Sequence, residues 1–149
     1  MKVVIVMPTY NEAENIGRMT IELFEKEFSQ IKDAEMHLLV VDDNSPDGTG
    51  NIVKESMKKY SNLHLLEGQK QGLGWAYVRG MRYAMEKLGA DAVMEMDADF
   101  QHPPRFVKAM VRAYTNGADY VIGSRYIKGG SVPKEWALSR KAVSFFGNL

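Results

Sequence analysis

Short apolar runs rich in β-branched residues alternate with longer stretches whose apolar side chains recur every three to four positions, and that alternation leaves few folds open. The runs lie at residues 3–7, 36–41, 63–66, 91–96 and 119–123; the helical periodicity covers 13–29, 49–60, 73–88 and 104–116. The first two runs lack strict polar and apolar alternation, as strands covered on both faces do. Between them Ile16, Met19, Leu23 and Phe24 form one helical stripe, with Asn11 placed as its cap and Glu12 and Glu14 in its first turn. Repeated strand–helix units close through right-handed crossovers, so the expected class is α/β: a Rossmann-like, open, mostly parallel sheet with helices on both faces. A length of 149 residues fits one domain, 1–149. The last stretch, from Trp136, reads as an amphipathic helix that stops without a cap or polar tail, so a chain truncated at its C-terminus is expected.

Composition narrows function by exclusion. Lys plus Arg number 19 and Asp plus Glu number 19, so no net field draws the molecule to nucleic acid, and any anion must be gripped locally. With no cysteine there is no disulfide scaffold, zinc-thiolate site or thiol nucleophile, which favours a reducing compartment. No apolar run reaches the length of a bilayer span, so a soluble or peripheral location is expected.

In an open α/β sheet, ligands gather outside the carboxyl ends of the strands. Pro8-Thr9-Tyr10-Asn11-Glu12 follows the first run, with Pro8 ending the strand, Tyr10 offering a flat face to a nucleobase and Glu12 an acceptor; a plain strand-to-helix turn is the competing reading. It holds no G-x-G-x-x-G, which argues against a nicotinamide enzyme. Asp42-Asp43-Asn44-Ser45-Pro46-Asp47-Gly48-Thr49 follows the second: Asp43 is placed to accept from a ribose or base, and Asp47 to cap or turn. The glycine-rich loop 68–74 carries Lys70 to a helix N-terminus and suits a phosphate. At Met96-Asp97-Ala98-Asp99-Phe100-Gln101, residues two apart project to one side, so Asp97 and Asp99 aim at one point with the Gln101 amide nearby, a hard oxygen set suited to Mg²⁺ or Mn²⁺; a solvated turn capped by Asp99 is the bland alternative. Gly123-Ser124-Arg125-Tyr126 and the following Gly129-Gly130 form a basic loop able to cover a site, with Arg140 and Lys141 on the terminal helix; Arg125 either grips a phosphate or pairs with an acidic tip. His37 and His64 read as structural, His102 as weak evidence for a base, and the ten Met residues as packing.

Taken in order, Pro-Thr-Tyr-Asn-Glu at 8–12, the Asp42 to Thr49 block, Gly-Leu-Gly at 72–74, Asp-Ala-Asp at 97–99 and Gly-Ser-Arg-Tyr at 123–126 resemble the family 2 glycosyltransferases, most of all the branch of dolichyl-phosphate mannose synthases. The resemblance runs over the whole chain. It implies a GT-A fold, an inverting hexosyl transfer from GDP-mannose to dolichyl (polyprenyl) phosphate, Mg²⁺ or Mn²⁺, and work at the cytoplasmic face of a membrane. It assigns Pro8, Tyr10, Glu12, Val41 and Asp43 to the nucleoside, Asp97, Ala98, Asp99 and Gln101 to metal and diphosphate, and Arg125 and Arg140 to the acceptor phosphate. Family members continue past residue 149 with further acceptor-site residues. A UDP-glucose donor, a sugar-hydroxyl acceptor, a nucleotidyltransferase and a nucleotide-binding module without turnover are the competing functions.

Overall fold

The computed structural model describes residues 1–128, 130–133 and 136–147, which fall into two compact units, 1–118 and 119–149. Gly129 of the expected covering loop and the terminal Asn148 and Leu149 lie outside the described residues.

The first unit is a four-stranded, all-parallel sheet in the order β3-β2-β1-β4, with β1 Lys2–Thr9, β2 Glu35–Asp42, β3 Leu63–Glu67 and β4 Ala92–Glu95. Side chains alternate across it as the pleat requires. Val3, Ile5 and Met7 of β1 with Met36, Leu38 and Val40 of β2 face one core, closed by Ile16, Met19 and Leu23 of the first helical segment, Val53 of α2 (Thr49–Met57) and Val107 and Val111 of α4 (Val107–Thr115). Val4, Val6, Leu39 and Val41 face the other, where Ala76 and Ala84 of α3 (Leu73–Glu86) pack. Both faces of β1 and β2 are therefore sealed, which is why neither strand shows polar alternation. No described helix is long and apolar enough to cross a membrane.

Several expectations change in detail. The single helix over 13–29 is α1 (Ala13–Ile21) followed by a π-helical stretch, Glu22–Glu27, and a 3₁₀ turn, Phe28–Gln30. Pro8 does not end β1: the strand runs on to Thr9, because beyond Val6 it has a ladder partner on the β2 side alone and Pro8 withholds no bond that a β4 neighbour needs. The run 119–123 is not a strand. It lies in the second unit without a ladder, and Tyr120 (81% exposed) and Ile122 (72%) face outward; β-branched residues do not make a strand where no neighbour supplies hydrogen bonds. The second unit holds α5, Leu138–Phe146, shorter than the run from Trp136 suggested.

The two histidines on β2 and β3 are structural, as expected. Their rings stack with centroids 5.2 Å apart; His37 Nδ1 lies 2.9 Å from His64 Nε2, and His37 Nε2 lies 2.7 Å from Glu35 Oε1. One proton fits between the facing nitrogens, so the contact does not survive if both rings are cations. Burial, then the charges of His37 and Lys2, hold His64 below its ordinary value of 6.5. The unfolded chain then binds this proton more tightly than the folded one, so stability is full above that value and declines as pH falls through it toward the folded-state pKa. His64→Gln should flatten the part of the stability curve that falls away below 6.5 in urea unfolding; an unaltered slope there would assign the titration elsewhere.

Candidate active site

β1 and β2 outrun β4. β1 continues to Thr9 opposite Asp42, whereas β4 ends at Glu95 opposite Val6. The notch lies beside β1, from which the strand order runs outward in both directions, the place where open α/β sheets bind ligands. A cavity of about 300 Å³ occupies it, lined by Pro8, Thr9, Tyr10 and Glu12 after β1, Asp43 after β2, Lys70, Gly72, Leu73 and Ala76 from the loop and helix after β3, and Asp97, Ala98 and Asp99 after β4. Backbone strain marks the same loops. Asn11 (φ 59°), Asn44 (φ 53°) and Phe100 (φ 61°), one after each of β1, β2 and β4, are the non-glycine residues with positive φ among the described ones. Held strain of that kind concentrates where a site must keep a fixed shape.

The loop after β2 ties the notch together. Asp42 is buried; its Oδ1 accepts from the Thr9 hydroxyl at 3.0 Å and the Ser45 hydroxyl at 2.6 Å, and its Oδ2 from the Ser45 amide at 3.0 Å, so it locks the strand tips and faces no ligand. Asp47 accepts from the Thr49 amide and hydroxyl through Oδ1 and from the Ala13 amide through Oδ2. The Thr49 hydroxyl first, and the Ala13 amide with it, hold the Asp47 carboxyl below the usual carboxylate range. Asp47 thus fills the expected turn role. Asn11 does not cap α1: Ser45 accepts from the Asn11 amide, Thr49 from that of Glu12, and Asp47 from that of Ala13, so the neighbouring loop caps the helix in trans. Sequence spacing cannot register a cap supplied from 34 residues away.

Each acidic tip is held by a residue of α3. Asp43, 7% exposed, accepts from Arg79 Nη2 at 2.6 Å. Asp97 accepts from the Tyr77 hydroxyl through Oδ1 at 2.9 Å, and burial followed by that bond raises the Tyr77 pKa well above the tyrosine range, so it stays a donor at every working pH. The Asp97 amide donates to His102 Nδ1 at 3.2 Å; that nitrogen is an acceptor here, and His102 shapes the turn. Asp99 is exposed, and its Oδ1 accepts from the Gln101 amide at 2.9 Å. The Lys70 ammonium sits 3.4 Å from the Tyr10 ring centroid, covering the face read as a nucleobase platform; a base stacked there displaces a flexible cation, not packed atoms.

Eight of the candidate residues, Pro8, Tyr10, Glu12, Asp43, Lys70, Asp97, Ala98 and Asp99, thus meet at one cavity. Val41 does not line it: its side chain is fully buried in the core beneath. Gln101 is exposed and outside the lining. Arg125 and Arg140 belong to the second unit, where their guanidinium carbons stand 4.9 and 4.1 Å from the ring centroid of Trp136, so one indole gathers two cations.

The donor set at the β4 tip suits a hard divalent ion. Asp97 and Asp99 both line the cavity, though not by strand alternation as expected: β4 ends at Glu95, and residues 98–99 form a turn completed by Phe100 at positive φ, so the turn and not an extended chain brings the two aspartates to one cavity. No group of three or more His, Asp or Glu side chains able to hold a metal occurs among the described residues. An ion bound by two carboxylates keeps coordination positions for a ligand's own oxygens and water, which is how Mg²⁺ and Mn²⁺ join a phosphate to a protein.

Tyr77 and Arg79 are the residues that sequence reading missed. The signal was present as Ala76, Gly80 and Ala84, the buried stripe at four-residue spacing, whose small side chains let a helix lie close to a sheet. Polar residues beside such a stripe reach the strand tips.

The chain matches the Glycosyl transferase family 2 model over residues 4–148. It is 39% identical, over 97% of its length, to the dolichol-phosphate mannosyltransferase of Pyrococcus furiosus, and 40% identical, over its whole length, to the undecaprenyl-phosphate mannosyltransferase of Micrococcus luteus. It spans 38% and 58% of those two relatives. Among solved structures, mannosyl-3-phosphoglycerate synthase from Rubrobacter xylanophilus shares the fold, with a TM-score of 0.52 and 23% identity over 66% of this chain and 31% of that one. The architecture is the GT-A fold expected from the sequence.

Proposed function

The chain belongs to glycosyl transferase family 2, and from that premise we propose that it forms the catalytic part of an inverting, metal-dependent enzyme that moves mannose from GDP-mannose to a polyprenyl phosphate such as dolichyl phosphate. The observation that carries the proposal is the convergence of Tyr10, Asp43, Asp97 and Asp99 on one cavity at the switch point of the sheet. The names of the two relatives support mannose as the sugar and a polyprenyl phosphate as the acceptor.

Tyr10 offers its ring to the base once Lys70 swings off it toward the diphosphate, and Asp43 accepts from base or ribose. Asp97 and Asp99 would hold Mg²⁺ or Mn²⁺, and an ion there would supply charge neutralisation for the nucleoside diphosphate leaving group. The acceptor's phosphate oxygen bonds to the anomeric carbon from the face opposite the leaving group; the electron pair of the broken carbon–oxygen bond departs with GDP. A phosphate acceptor is ionised near neutral pH, so it needs cationic positioning and no general base. The family resemblance assigns that role to Arg125 and Arg140, which would hold the lipid phosphate at a membrane surface.

The decisive experiment incubates the full-length protein and Mn²⁺ with GDP-mannose or UDP-glucose, offering polyprenyl phosphate or free sugars as acceptor. Mannosyl-phosphoryl-polyprenol is the expected product, lost on chelation. A glycosylated hydroxyl with no lipid-phosphate product would overturn the acceptor assignment, and preferential use of UDP-glucose the donor assignment.

A further inference from the structure

Asp43 reaches the cavity from the end of β2 with one carboxylate oxygen already engaged, and the group engaging it comes from the middle of α3. Arg79 Nη2 donates to Asp43 Oδ1 at 2.6 Å, and Arg79 Nη1 donates to the Gln69 carbonyl at 3.4 Å. One planar guanidinium therefore ties the nucleoside-facing carboxylate to the loop whose next residue is Lys70, the cation on Tyr10. The tie has a fixed seat. A Cβ built on Gly68 would lie 2.6 Å from both Arg79 Cζ and Nη1, so a side chain at 68 would push the guanidinium off its present place. The position also costs the fold something, since the Nε–H of Arg79 is buried and meets no acceptor among the described residues.

We propose that Arg79 is a positioning residue for donor recognition: it fixes the Asp43 carboxylate as an oriented acceptor for the N–H and O–H groups of the nucleoside, and sets the 68–70 loop at the same time. The proposal rests on the nucleotide-sugar reading of the cavity and adds to it the residue that presets the nucleoside pocket. With Oδ1 held, Oδ2 meets the ligand in a single orientation, so the ordering cost is met before binding. Substrate need not touch Arg79; its influence passes through Asp43.

The test measures guanosine and GDP binding by calorimetry on the full-length protein, with and without Mn²⁺. Arg79→Met should weaken both ligands about tenfold, the scale of one charged hydrogen bond, without changing the ratio by which Mn²⁺ improves GDP affinity. Gly68→Ala, which keeps the charge but occupies the seat, should weaken guanosine in the same direction, and in the Arg79→Met background it should add little. Arg79→Met should likewise add little to Asp43→Asn, because a residue acting through Asp43 loses its effect once that carboxylate is gone. Arg79→Lys should recover part of the affinity. Guanosine binding unchanged in Arg79→Met, or a loss that adds in full to that of Asp43→Asn, would overturn the positioning role while leaving the nucleotide-sugar reading in place. Wild-type protein that binds neither guanosine and GDP nor uridine and UDP would overturn both.

Discussion

Asp99→Asn is expected to lower kcat/KM for sugar transfer by about two to three orders of magnitude while leaving the melting temperature nearly unchanged. The two halves of that expectation have separate causes. Asp99 is exposed, and its contact within the fold is the Oδ1 that accepts from the Gln101 amide at 2.9 Å; asparagine keeps that oxygen, so the turn after β4 is preserved. The negative charge is what disappears, and with it one of the two carboxylates proposed to hold the metal at the cavity that Asp97 and Asp99 line. Guanosine affinity should therefore match the wild type, Mn²⁺ should improve GDP affinity only at higher concentrations than in the wild type, and raised Mn²⁺ should return part of the activity. Asp97→Asn is a less clean probe, because Asp97 also receives the Tyr77 hydroxyl. Full activity in Asp99→Asn would remove the metal assignment.

The elements legible in sequence were those whose cause is local. Val3 to Met7 and Met36 to Val41 declared themselves as doubly covered strands because burial on both faces leaves no polar alternation. The acidic cluster after β4 was legible as a cluster, but not for the reason that strand geometry supplies: β4 stops at Glu95, and a turn, not the two-residue alternation of a strand, carries Asp97 and Asp99 to the cavity. Relations between elements were not legible. The trans capping of α1 by Ser45, Asp47 and Thr49 depends on which loop lies beside which, and the spacing around Asn11 shows a cap of the usual cis kind. Residues 119–123 carry a strand's composition, yet a strand exists only with a partner, and composition says nothing of where a partner lies. Arg79 and Tyr77 were hidden for the related reason that a helix's own periodicity shows which side it buries, not which strand tips lie within reach of its polar flank.

That reach depends on how closely α3 approaches the sheet, and Gly80 sets the distance. A Cβ on Gly80 would lie 2.5 Å from Val6 Cγ1 and 2.7 Å from Val41 Cγ2, contacts that real side chains do not make. Val6 and Val41 are fully buried on adjacent strands, so neither has room to yield. Gly80→Ala must lift the helix or force the valines off their rotamers, which costs about 2 kcal/mol and lowers the melting temperature by roughly 6–8 °C. Gly74 in the same helix meets nothing within 4 Å, so Gly74→Ala should hold or slightly raise the melting temperature. The functional consequence separates Gly80 from an ordinary core position. Tyr77 to Asp97 and Arg79 to Asp43 are both spanned from this helix, at 2.9 and 2.6 Å, and a lift of even half an ångström stretches both. Gly80→Ala should consequently weaken guanosine and Mn²⁺-dependent GDP binding together, at a temperature where the variant is still fully folded. Nucleotide affinity equal to the wild type in a variant that melts early would mean that the two tip contacts do not depend on the close approach of α3.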